Sequence, residues 1–187
     1  MHKVDCYKTN FVSGLTLLIL LISSTGCGAS RTVINKAPES STVKYHIIEI
    51  PNFKKTNLEW VPYDSYTEIP DLVAERLRDT NRFKRITRNE SYGLSDSDVL
   101  IVKGTVTGFD RGCKFCEWFS LGINDNGKGT VYVWVKLIDK KTGRTITDAS
   151  INGRASDPGY GRSRYLRVSE EIVELIENIK DGKIEAM

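Results

Sequence analysis

The chain has 187 residues, with 27 Lys and Arg against 24 Asp and Glu and a hydrophobic fraction of 40%. A net charge of +3 spread over that length lacks the concentrated basic footprint of a nucleic-acid binder, so no nucleic-acid partner is expected. Beyond residue 26 about 160 residues remain, enough for one domain with a proper core and too few for two ordinary ones.

The first element is an apolar run, Phe11 to Ile22, preceded by His2, Lys3 and Lys8 and followed by Ser23-Ser24-Thr25-Gly26-Cys27. At about a dozen residues it is well short of the roughly 20 that a membrane-spanning helix needs, and it reads as the h-region of a signal peptide. Small residues before Cys27 suit a peptidase that threads extended backbone through its site. The stretch resembles a bacterial lipoprotein signal, in which the cysteine thiol is diacylated and the chain is cut just before it. Thr25, Gly26 and Cys27 carry the match, and Ser24 stands where that pattern usually has Leu. The alternative is an ordinary secretory signal with a chance cysteine, cleaved after Gly26 or Gly28. On the lipoprotein reading residues 1–26 are the signal and Cys27 is the lipid anchor. Two or three acyl chains, at about 0.8 kcal/mol per buried methylene, hold a protein firmly to a bilayer. Gly28 is not the Asp that favours inner-membrane retention in such lipoproteins, which implies the outer membrane and its periplasmic face.

Residues 27–42 are mostly small and polar, with Pro38 and no hydrophobic period, and the expectation is a flexible lipidated tether. The single domain is then expected over 43–182. Val43 to Ile50 alternates as a first strand ending at Pro51-Asn52. Ile69, Leu72, Val73 and Leu77 fall on one helical face, and Pro70 with Asp71 suits a helix start at that point. Phe83 to Thr87 is a short second strand and Val99 to Phe109 a third, with Leu100, Val102 and Val106 on one face. From Thr130 to Asp139 the period of two is clearest: Val131, Val133, Val135 and Leu137 form the predicted core face, with Tyr132, Trp134 and Lys136 opposite. Lys140 to Gly143 is a turn, and Arg144 to Ala155 returns as the hairpin partner. The last helix buries Val168, Ile172, Leu175, Ile176 and Ile179, turns Glu170, Glu171, Glu174 and Glu177 outward, and stops near Gly182. These elements predict an α+β fold: one layered domain, a mostly antiparallel sheet, and helices packed on one face.

This order resembles a family of bacterial envelope lipoproteins whose domain has no assigned function. The motifs that carry the resemblance are Ile50-Pro51-Asn52-Phe53, Val102-Lys103-Gly104-Thr105-Val106 and Asp139-Lys140-Lys141-Thr142-Gly143, within residues 43–180. More distantly the layout is similar to the periplasmic α/β domains of curli-secretion and Tol-type envelope proteins. The resemblance implies a non-catalytic part in envelope assembly, and it supplies no catalytic or cofactor-binding residues. The chain departs from the family in the loop between its long strands, where a cysteine pair and aromatics replace small residues and arginine.

That loop, Asp110 to Gly129, is the candidate functional segment, because a connection of about 20 residues in a compact domain is usually functional or disordered. It contains Cys113 and Cys116. A zinc site would need four ligands and no second pair follows, so no metal is assigned. Thioredoxin-like chemistry would want the thiolate at a helix N-terminus in an alternating βαβ fold, which leaves a tethered thiol-disulfide protein as the alternative function. A structural disulfide between Cys113 and Cys116 suits an oxidising compartment. Phe115, Trp118, Phe119 and Leu121 are either a small core under the loop or a contact surface. Arg76, Arg78, Arg82, Lys84, Arg85 and Arg88 are read as a solvated face. No G-x-S-x-G, phosphate loop or H-E-x-x-H occurs, so no enzyme and no cofactor are expected. The expected partners are the membrane, through acylated Cys27, an envelope protein, and, as an open option, further copies of the chain.

Overall fold

The fold is built outward from its longest hairpin. The computed structural model describes residues 30–36, 45–56, 61–62, 64–88, 98–113, 128–155 and 162–183. Three long strands, β5 (Val99–Asp110), β6 (Gly129–Asp139) and β7 (Thr145–Ala155), run antiparallel and form the middle of one sheet. The predicted inward positions Leu100, Val102, Val106, Val131, Val133, Val135 and Leu137 are buried, with Ala149 and Ile151 of β7 beside them, while Tyr132 and Trp134 point away.

Beyond β7 lies β1 (Ser30–Lys36), antiparallel to it. Beyond β5 lie β2 (Ile47–Glu49) and β4 (Arg85–Thr87), both parallel, giving the order β1-β7-β6-β5-β2-β4. A two-residue β3 (Lys54–Lys55) also pairs parallel with β5. The described sheet is therefore mixed, with antiparallel pairing in its long strands and parallel pairing only in short ones. The parallel part follows from the unit of β2, helix α1 (Ser65–Asp79) and β4, since a strand that returns after a helix lies parallel to the first.

Two helices, α1 (Ser65–Asp79) and α2 (Arg162–Lys180), lie side by side on the valine face. Ile69, Leu72, Val73 and Leu77 from α1 meet Val168, Ile172, Leu175 and Ile176 from α2 in one core.

Three expectations are corrected. Residues 30–36 are not tether but strand, because pairing with β7 satisfies one side of their backbone although their side chains are mostly polar and exposed. The first predicted strand is shorter than Val43 to Ile50, with only Ile47–Glu49 in the ladder among the described residues. Helix α1 starts five residues earlier than Pro70, which sits inside it and is buried. A proline there cannot donate to the carbonyl of Tyr66, and the Phe53 N–H takes that carbonyl instead at 2.9 Å.

The family-like motifs now have physical roles. Phe53 packs on Gly104 so closely that a Cβ at that position would stand 2.4 Å from the ring. At the hairpin, Asp139 Oδ1 accepts from the Thr142 N–H at 2.7 Å and the Thr142 hydroxyl at 2.9 Å. Gly143, at φ 69°, donates to the Asp139 carbonyl at 2.8 Å and closes the turn.

Candidate functional site

The long loop leaves the sheet at Asp110 and returns at Gly129, and its root is fixed by the end of β5, the start of β6 and the first turn of α2. Asp110 faces Thr130 in the ladder. Its carboxylate accepts from the Gly112 N–H at 2.8 Å, a local turn that the φ of 73° at Gly112 permits. Above this turn lies Arg164, only 3% exposed. Its guanidinium donates to the carbonyls of Asp110 and Arg111, each at 3.2 Å, and stands 5.2 Å from the Phe109 ring centroid. Gly129 makes room for it, because a Cβ there would fall 2.0 Å from Cζ. One α2 side chain thus ties the start of the loop to the helix layer and packs against its end.

Next to the root the sheet presents an open face. Tyr132 and Trp134 are 39% and 36% exposed on it. Lys103 and Lys136 oppose each other across β5 and β6. That like-charged pair is offset because Lys136 Nζ lies 4.2 Å above the Trp134 ring and faces Asp148 on β7, while Trp134 Nε1 donates to Asp148 at 3.4 Å.

Elsewhere the charges are internally paired. Arg76 meets Glu170 at 2.9 Å, Arg82 meets Glu177 at 3.3 Å as well as Asp181, and Arg88 meets Asp71 at 2.6 Å. Arg76 on α1 and Arg82 just beyond it therefore meet the acidic side and end of α2, and Arg88 clamps the Ile50 carbonyl and Asn52 after β2. Lys140 meets the buried Glu49 at 2.9 Å. Burial pushes the Tyr45 phenol up, and its hydrogen bond to Asp139 adds to the shift. In Tyr165 burial also raises the phenol, helped by Asp64, to which it donates at 3.3 Å.

Of the predicted site residues, only Cys113 is described, exposed just beyond β5. Cys27, Cys116, Phe115, Trp118, Phe119 and Leu121 lie outside the described residues. Among the described residues no group of three His, Cys, Asp or Glu side chains is arranged to hold a metal, and no helix is long and apolar enough to cross a membrane. The arrangement offers contact surfaces and hydrogen-bonded clamps. Sequence reasoning missed Arg164 although a signal existed: it occupies the helical slot one turn before Val168 and Ile172, so a charge falls in the core stripe.

No protein-family model matches the chain, and no curated protein sequence does. Its fold is shared with solved structures. The PelC dodecamer from Paraburkholderia phytofirmans superposes with a TM-score of 0.52 at 14% identity, covering 79% of this chain and 96% of that one. A substituted form of the same PelC dodecamer gives 0.51 at 13%, covering 82% and 98%. Lipoprotein GNA1162 from Neisseria meningitidis matches at 0.37 and 11%, covering 71% and 97%. At such identities the likeness shows the fold alone, and of these three structures the two of PelC are close enough for that argument.

Proposed function

We propose that this protein is a non-catalytic component of the bacterial cell envelope, held by acylated Cys27 at the periplasmic face of the outer membrane and working as an assembly of several copies. The observation that carries the reading is the succession of a lipoprotein-like signal and a domain with the PelC fold. The solved PelC structures are dodecamers, which supports assembly for a chain of this fold. The start of β1 adds a geometric consequence. Ser30 comes three residues after Cys27, so the anchor and the sheet are at most about 10 Å apart along extended chain, and the domain sits against the bilayer. The segment with Cys113, Cys116, Phe115, Trp118, Phe119 and Leu121 is the proposed contact loop toward an envelope partner, with the two cysteines joined as a structural disulfide.

Metabolic labelling with a clickable palmitate analogue, followed by membrane fractionation, tests the anchor. The wild type should label and sediment with outer membrane, and Cys27→Ser should do neither. Equal labelling of both would overturn the reading.

A further inference from the structure

We infer that the free edge of β1 is where copies of this chain meet, two β1 strands pairing antiparallel about a two-fold axis at Thr32. The inference rests on the assembly reading above and adds the surface. Strand β1 ends the sheet, and among the described residues its only ladder partner is β7. An edge of this kind presents unpaired N–H and C=O groups, a template for another strand. The opposite edge is a poor template, since β4 has three residues and β3 two, against seven in β1.

Side chains point the same way. Among the described residues Val33 and Ile34 are the two most exposed large hydrophobics, at 43% and 40%, and as neighbours in a strand they lie on opposite faces of the sheet. An added strand would cover apolar surface on both. Arg31 and Lys36 are the charged guards this edge carries, and they flank the apolar pair without separating it, while no proline interrupts the strand. Register with β7 shifts between Ile34 and Lys36, so the regular stretch is Ser30–Ile34, whose middle residue is Thr32. Pairing two copies about Thr32 sets Val33 opposite Arg31 and Ile34 opposite Ser30. No like charges face each other, and the arginine stem can lie along the valine.

The strand is also held ready. Ser30 donates to Glu171 Oε1 at 2.5 Å and Thr32 to Oε2, which fixes the inner side chains of β1 on α2 before any partner arrives. An acylated Cys27 three residues upstream would confine the copies to one plane and raise their effective concentration.

Single cysteines at Arg31, Thr32, Val33 and Ile34, placed in the full chain with Cys113→Ser and Cys116→Ser, test this in native membranes under mild oxidation. An amine cross-linker reports assembly separately. The expected result is a disulfide-linked dimer strongest for Thr32→Cys, and loss of dimer on Val33→Lys with the circular dichroism spectrum retained. Multimers captured through amines, with no disulfide at any of the four positions, would overturn the edge contact and leave the assembly reading standing. Absence of multimers by either route overturns both. Equal disulfide yield at all four positions rejects the two-fold register, and a mixed disulfide with a different protein rejects the second copy as occupant.

Discussion

Strands β6 and β1 flank β7 on its two sides and are held by different means. In β6 every second side chain, Val131, Val133, Val135 and Leu137, is at most 1% exposed, and each end is closed by a polar device, Arg164 over Gly129 and the Asp139 turn. In β1 no residue is buried, and the strand persists through its ladder with β7 and two hydroxyls on Glu171. The difference separates two sources of order. A central strand is specified by side chains that must leave water, whereas an edge strand can be specified by backbone groups that must find partners.

The sharpest way to break this comparison is to remove apolar atoms from each strand. Leu137→Ala should cost about 2–5 kcal/mol, since a fully buried side chain leaves a cavity that neighbours fill only in part. Val33→Ala should stay within about 0.5 kcal/mol in the monomer, because little is lost when a half-exposed residue shrinks. Urea denaturation at neutral pH measures both. Similar losses would mean that β1 carries core weight and that the contrast is false.

At the loop end of β6 the expected effect is smaller. Arg164→Met keeps the length of the side chain and removes its donors to the carbonyls of Asp110 and Arg111. A loss of about 1–2 kcal/mol is expected, as charged donors contribute more than neutral ones, while the burial of the cation and the exposure of Asp110 and Arg111 offset part of the gain. The same substitution should raise amide hydrogen exchange at Asp110 to Gly112 before it does so at Val133. Unchanged exchange at the loop root would show that the guanidinium does not pin it.

How much of this was legible in the sequence follows the same division. The period of two in Thr130 to Asp139 and the helical stripes of Ile69 to Leu77 and Val168 to Ile176 are signals written by burial, and the structure has them where the sequence predicts them. Strand β1 wrote no such signal, because its partner is the backbone of β7 and none of its side chains is buried. The early start of α1 was hidden for a related reason: Pro70 suggests a first turn, and only the distant Phe53 N–H, which takes the Tyr66 carbonyl, lets the helix extend ahead of it. Arg164 was legible in principle, as a charge in a core slot. Its acceptors on Asp110 and Arg111, more than 50 positions away, were not. The predicted contact loop and anchor fall outside the described residues, so the site is known from its root and from the open face beside it.

The turn end of β6 gives the smallest and most pH-dependent effect. Burial pushes the Asp139 carboxyl up, but the Thr142 N–H and hydroxyl, the Tyr45 phenol and the Lys141 N–H outweigh it and hold the group below its usual 3.8. A carboxylate with a depressed folded value contributes stability that is present above the unfolded value and lost as pH falls through the folded one. Acid should therefore weaken the wild type from about pH 4 downward through this group. Asp139→Asn cannot carry the charge, so it should cost about 1 kcal/mol at pH 7 and show a shallower acid limb, the two curves converging as the wild-type carboxyl protonates. Urea midpoints from pH 2 to 7 read the difference, with Val33→Ala as a control whose acid limb should parallel the wild type. If Asp139→Asn runs parallel too, the turn is held by its backbone bond from Gly143 alone, and β6 is pinned by charge only at its loop end.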